Sequence, residues 1–149
     1  MRAMGNWIVL VDDDLDMHYI YRKVFFRLGL GDLIQLFESG EEALTFLANN
    51  SCEVRIIFSD LNMPSMDGLE FRRRIARMPE CKSIPFIFLS TSAREREVAQ
   101  AYDLMVQGFF QKGLTINEIE KSISGALDYW GKCLRPAVCP PVAIAGATL

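Results

Sequence analysis

Histidine is nearly missing from this sequence: His18 stands alone among 149 residues. The cysteines, Cys52, Cys81, Cys133 and Cys139, form no CxxC pair. A zinc site therefore lacks its usual ligand spacing, and the thiols read as reduced ones in a reducing compartment. An excess of positive charge is missing as well. Lys and Arg number 16 against 19 Asp and Glu, a net charge of -3, which argues against a nucleic-acid partner held by a bulk positive field. No apolar run approaches the roughly 18 residues of a membrane span, and the apolar run behind Met1–Trp7 is too short for a signal peptide. These absences predict a cytoplasmic protein with no nucleic-acid and no membrane partner. What remains is 50% hydrophobic and 23% charged, the balance of a folded globule rather than a disordered tail. The length suits one domain.

Five short apolar runs punctuate the chain: Trp7–Val11, Leu33–Phe37, Val54–Phe58, Pro85–Leu89 and Val106–Phe110. Most are continuous rather than alternating, as expected of strands covered on both faces. Between them lie stripes at helical spacing, such as Met17, Ile20, Tyr21, Val24 and Leu28, or Ile116, Ile119, Ile123 and Trp130. Ser39 and Thr115 look like helix caps, the second with Glu118 at capping-box spacing. Gly29 and Gly31 suit the end of the first helix. A βα unit repeated five times implies an α/β fold, a doubly wound five-stranded parallel sheet with helices on both faces. The folded unit is predicted over residues 6–131, with 132–149 a loose C-terminal tail.

Polar residues cluster where these strands should end. The first run leads into Asp12-Asp13-Asp14, the third into Ser59-Asp60, the fourth into Ser90-Thr91-Ser92 and the fifth into Gln111-Lys112. In open α/β sheets, sites form beyond the carboxyl ends of strands where the winding reverses. If the strand order is 2-1-3-4-5, Asp12, Asp13 and Asp60 crowd together and Ser90 and Lys112 arrive from the next two strands. Carboxylates so close raise one another's pKa unless a cation intervenes, and a hard divalent ion such as Mg²⁺ fits oxygen donors of this kind. A carboxylate can also attack phosphorus to give an aspartyl phosphate. Lys112 and a Ser90 hydroxyl would then neutralise and bond the transferring group.

With these residues in place, the sequence resembles the receiver domains of bacterial two-component response regulators, and the resemblance covers roughly residues 6–131. It rests on Val9-Leu10-Val11-Asp12-Asp13-Asp14, on Asp60-Leu61-Asn62-Met63-Pro64-Ser65-Met66-Asp67-Gly68, on Leu89-Ser90-Thr91-Ser92 and on Phe109-Phe110-Gln111-Lys112. The Asp60 segment is the most specific of the four. The resemblance implies a flavodoxin-like (βα)5 fold with strand order 2-1-3-4-5. It implies Asp60 as phosphoacceptor, with Mg²⁺ held by Asp13 directly, by Asp12 largely through water, by Asp60, and by the Asn62 backbone carbonyl. Ser90 would follow the phosphoryl group, Lys112 would contact it, and Phe109 would be an aromatic switch read on the helix 4, strand 5 and helix 5 surface. The implied partners are a sensor histidine kinase or histidine phosphotransfer protein and a downstream protein. The implied state is a monomer or weak dimer, a signalling module rather than an enzyme beyond its own phosphorylation and dephosphorylation.

One departure stands out. The family usually places a cis proline after the lysine, whereas Gly113 follows Lys112. A cis bond before a non-proline residue costs about 2.5–4 kcal/mol, so this loop is expected to be trans and more mobile. Two other functions stay open. Asp12-Asp13-Asp14-Leu15 partly matches the D-x-D motif of haloacid-dehalogenase-like phosphatases, and a phosphorylation-independent binding module would need none of the acceptor residues. Outside the cluster, Asp67 reads as a helix cap, and His18 as surface or packing. The Arg72-Arg73-Arg74 run with Arg77 fans around a helix and reads as solvated surface.

Overall fold

The computed structural model describes residues 6–136. Its elements are β1 (Trp7–Val11), α1 (Leu15–Arg27), β2 (Ile34–Phe37), α2 (Gly40–Asn50), β3 (Val54–Ser59), α3 (Gly68–Ala76), β4 (Phe86–Ser90), α4 (Glu95–Asp103), β5 (Gly108–Gln111) and α5 (Ile116–Lys132). The five strands form one parallel sheet in the order β2-β1-β3-β4-β5. The tail expected at 132–149 lies outside the described residues from 137 onward. None of the described helices is long and apolar enough to cross a membrane.

The continuous apolar runs are explained by two cores, one on each face. Ile8 and Leu10 of β1 point into a cluster with Tyr21, Val24 and Phe25 of α1 and Ile119 and Ile123 of α5. Val9 and Val11, of opposite pleat, join Ala43 and Leu47 of α2, Phe71 and Ile75 of α3, and Phe86 and Phe88 of β4. Each large side chain so buried contributes about 1.5–3 kcal/mol.

Three strands begin later than the apolar pattern indicates, β4 by one residue, at Phe86 rather than Pro85. β2 starts at Ile34 because Gly31–Leu33 closes a short 3₁₀ turn. β5 starts at Gly108 because Gln107 is used in the connection: its amide donates to the Phe86 carbonyl at 2.9 Å and its side-chain oxygen accepts from the Phe86 amide at 2.6 Å. α1 ends at a glycine, as expected. Gly29 takes φ +73°, and the Leu30 and Gly29 amides return to the Phe25 and Phe26 carbonyls at 2.8 and 3.0 Å.

Four helices open on a side-chain cap close behind the preceding strand. Asp14 accepts from the Asp16 amide, Ser39 from Glu42, Asp67 from Glu70, and Thr115 forms the full capping box with Glu118. Strand ends and helix N-termini thereby gather at one edge of the sheet, where backbone N–H groups favour anions.

Candidate functional site at the carboxyl ends of the strands

Asp12 and Asp60 follow two adjacent strands directly, and the backbone fixes both. The Asp60 amide donates to the Val11 carbonyl at 2.8 Å and the Asp12 amide to the Phe37 carbonyl at 3.0 Å. The Asp60 carbonyl accepts from the Ser59 hydroxyl at 2.8 Å. Behind it Gly68 opens α3 so closely that a Cβ there would strike the Asp60 carbonyl oxygen and lie 2.7 Å from the Phe88 ring. A glycine is required at that position to seat the acidic loop.

The structure brings Asp12, Asp13 and Asp60 together, with one carboxylate oxygen of each within 4.8 Å of the others. Lys112 reaches in from the end of β5. Its ammonium donates to Asp12 Oδ2 at 2.6 Å and stands 3.6 Å from Asp60 Oδ1, with its side chain only 5% exposed. Three carboxylates against one ammonium leave two negative charges in a pocket open on the Asp13 side. Hard oxygen donors with that residual charge fit one divalent cation of the Mg²⁺ type. Burial, above all, pushes the Asp60 carboxyl up from 3.8 to about 6; Lys112 pulls it down, and Asp12 pushes it up. At neutral pH it is still mostly ionised.

Ser90 is fully buried at the end of β4, and its Oγ accepts from the Ser92 amide at 3.2 Å. Thr91 next to it is exposed. The Ser92 hydroxyl donates to Glu97 of α4 at 2.5 Å. Asn62 is exposed two residues beyond Asp60. Phe109 is half-buried, its ring 5.7 Å from that of Phe88.

Two α1 residues reach this site that the sequence did not mark as site residues: Tyr21, read only as part of the apolar stripe, and His18, read as surface or packing. Tyr21, 2% exposed, donates its hydroxyl to Asp12 Oδ2 at 3.3 Å. Burial, then the Asp12 and Asp60 charges, hold that phenol well above its ordinary value, so it stays protonated and donates to Asp12. His18 is buried, in keeping with the packing alternative, and its Nε2 lies 2.6 Å from the Asp12 carbonyl. A carbonyl can only accept, so Nε2 carries the proton. The one available signal was position: one and two turns into a helix that starts at the acidic cluster.

Other expectations need correction. Arg72 is not solvated surface: it is 7% exposed and donates to the Leu104 and Met105 carbonyls at 3.0 and 3.1 Å, tying α3 to the end of α4. Arg73 and Arg74 stay outside and pair with Glu70. The Gly113 loop contains no cis bond, as expected, and it is tied rather than free. Glu118 Oε2 accepts from the Leu114 and Thr115 amides at 2.6 and 3.3 Å and occupies the space a Gly113 side chain would need. Among the cysteines, Cys81 and Cys133 are free, but Cys52 is disulfide-bonded, contrary to the reduced-thiol reading. Cys139 lies outside the described residues.

Comparison with known proteins agrees with this geometry. The sequence pattern of the response regulator receiver domain matches residues 8–124. Response regulator Rcp1 of Synechocystis sp. is 28% identical over 128 residues, covering 83% of this chain and 87% of its own length. The chemotaxis protein CheY homolog of Campylobacter jejuni is 28% identical over 120 residues, covering 80% of this chain and 91% of its own. Among solved structures, the phosphorylated cyanobacterial phytochrome response regulator RcpA superposes with a TM-score of 0.78 at 27% identity, over 89% of this chain and 99% of that one. The Mn(2+)-bound form of Rcp1 gives 0.75 at 27% identity, over 89% and 100%. A doubly wound sheet in this strand order, an acidic trio and a lysine at its carboxyl edge, and a sequence pattern spanning most of the described residues lead to one conclusion: the chain belongs to the response regulator receiver domain family.

Proposed function

We propose that this chain is a response regulator receiver, formed by residues 6–131, that accepts a phosphoryl group on Asp60 from a phosphohistidine. The donor is a sensor histidine kinase or a histidine phosphotransfer protein in the cytoplasm. The observation that carries this is the placement of Lys112, 2.6 Å from Asp12 and 3.6 Å from Asp60, over three clustered carboxylates.

In the transfer, an ionised Asp60 carboxylate oxygen attacks phosphorus while the P–N bond to the donor imidazole breaks. The imidazole nitrogen keeps the bonding electrons and Asp60 becomes an acyl phosphate. Asp13, Asp12, Asp60 and the Asn62 carbonyl would hold Mg²⁺, which when bound neutralises charge on the phosphoryl oxygens. Lys112 shifts from Asp12 toward a phosphoryl oxygen, and Ser90, whose Oγ already accepts from Ser92, turns its hydroxyl proton to another. These are local electrostatic changes that bias a two-state element. Phe109, half-buried beside Phe88, is the aromatic that moves with Ser90 and alters the α4, β5 and α5 surface for a downstream protein. The module acts as a monomer or weak dimer. Its only chemistry is on itself.

A phosphatase of the haloacid-dehalogenase type would need Asp12 as nucleophile. Here its carboxylate is already engaged by Lys112, Tyr21 and the Asp14 amide, which favours Asp60. Phosphotransfer profiling against the histidine kinases of the source cell tests the proposal. Transfer from one or a few kinases to the wild type, and none to Asp60→Asn, is expected. Labelling of Asp60→Asn at the wild-type level would overturn it.

A further inference from the structure

The Asp12 carboxylate takes three donors. The Asp14 amide reaches Oδ1 at 3.0 Å, while the Tyr21 hydroxyl and the Lys112 ammonium share Oδ2 at 3.3 and 2.6 Å. Asp12 itself is fully buried. The two donors to Oδ2 differ in freedom. Lys112 sits at a strand end and has Asp60 as its alternative partner at 3.6 Å. Tyr21 is buried in the α1–α5 core, and its hydroxyl is aimed at Asp12 Oδ2.

We propose that Tyr21 is a positioning residue for phosphoryl acceptance: its hydroxyl holds Asp12 Oδ2 and keeps that buried oxygen hydrogen-bonded when Lys112 moves off it toward Asp60. A buried carboxylate oxygen stripped of its donor carries the full desolvation penalty of the group. With the phenol already aimed at it, the 3.3 Å contact shortens as Lys112 withdraws and part of that penalty disappears. The ring alone fills the core; phenylalanine would pack in the same space among Val24, Phe25 and Ile123. The hydroxyl therefore has a role that packing does not supply. This inference rests on Asp60 being the acceptor.

The test compares wild type, Tyr21→Phe, Asp12→Asn and the double variant as full chains. The first readout is phosphorylation by acetyl phosphate, resolved into the half-saturating Mg²⁺ concentration and the maximal rate. The second is solvent exchange of the Lys112 ammonium protons by NMR in unphosphorylated protein. In Tyr21→Phe, Lys112 is bound more tightly to Asp12, so its exchange slows and the maximal rate falls roughly two- to tenfold, the range one net hydrogen bond spans. In the Asp12→Asn background the same change alters the rate by less than about twofold. Unchanged rate and exchange in Tyr21→Phe would overturn the proposal. So would an equal loss in the Asp12→Asn background, because the hydroxyl would then act on stability alone. Should Tyr21→Phe not fold, the wild type decides: the Tyr21 Cζ resonance moves on phosphorylation if the hydroxyl tightens on Asp12, and a stationary resonance contradicts it. If wild type takes up no phosphoryl group, the acceptor assignment fails, while the exchange measurement on unphosphorylated protein still judges Tyr21.

Discussion

Replacing Asp60 by asparagine is expected to stabilise the metal-free protein at neutral pH. Its carboxyl sits at about 6 when folded, against an ordinary value of 3.8, chiefly because it is buried. At about 1.36 kcal/mol per tenfold, that difference makes the ionised group a cost of up to about 3 kcal/mol to the fold at pH 7. An asparagine removes the charge but remains a buried polar group, so a net gain of about 1–3 kcal/mol is expected, or a rise of roughly 3–10 °C in Tm. The sign follows from proton binding. The folded state holds this proton more tightly than the unfolded chain, so the contribution of this carboxyl to wild-type stability is fully present below about pH 4 and is lost as the pH rises through about 6. The two proteins should therefore unfold alike near pH 4 and diverge by pH 7. Thermal denaturation in EDTA across that range, followed by circular dichroism, measures the gap. Magnesium then narrows it by binding the wild type more tightly. An Asp60→Asn protein no more stable than wild type at pH 7, or a gap constant from pH 4 to 7, would refute the assignment of Asp60 as a costly buried charge.

Three further outcomes are expected. Gly113→Ala places a methyl on the Glu118 side chain and frees the Leu114 and Thr115 amides from its carboxylate, which should cost about 1–2 kcal/mol and speed amide exchange at residues 114–118; wild-type stability and exchange would contradict this. Gly68→Ala presses on the Asp60 carbonyl and the Phe88 ring, so it should destabilise by about 1–3 kcal/mol and slow phosphorylation; an unaffected rate in a folded variant would remove Gly68 from the account of the site. Arg72→Met strips donors from the Leu104 and Met105 carbonyls, at about 1–3 kcal/mol, with faster exchange confined to the turn between α4 and β5; uniform exchange would show that no such tie exists.

The sheet was legible because its strands are buried on both faces, so their apolar runs are continuous and easily told from the helical stripes. Asp12, Asp60 and Lys112 were legible for a related reason: a polar residue that ends such a run must emerge at the carboxyl edge, where the topology collects ligands. What escaped depends on rotation rather than spacing. Three successive arginines must fan around α3, so one of them had to face inward; that it is Arg72, not Arg73 or Arg74, follows from where the end of α4 lies. Tyr21 and His18 belong to the buried side of α1, and a stripe does not tell that their polar tips reach back to Asp12. The Thr115–Glu118 box was readable from its spacing, whereas the extension of the Glu118 carboxylate to Leu114 depends on the missing side chain at Gly113. Gln107 delayed β5 because its side chain substitutes for a ladder bond, a use no apolar pattern encodes.

The decisive measurement is peptide mass mapping of the protein after incubation with acetyl phosphate, with and without magnesium. One added phosphoryl group is expected, located on Asp60, dependent on magnesium and absent from Asp60→Asn. An adduct on Asp12, or no adduct in a folded, magnesium-loaded protein, would contradict the assignment of Asp60 as the acceptor.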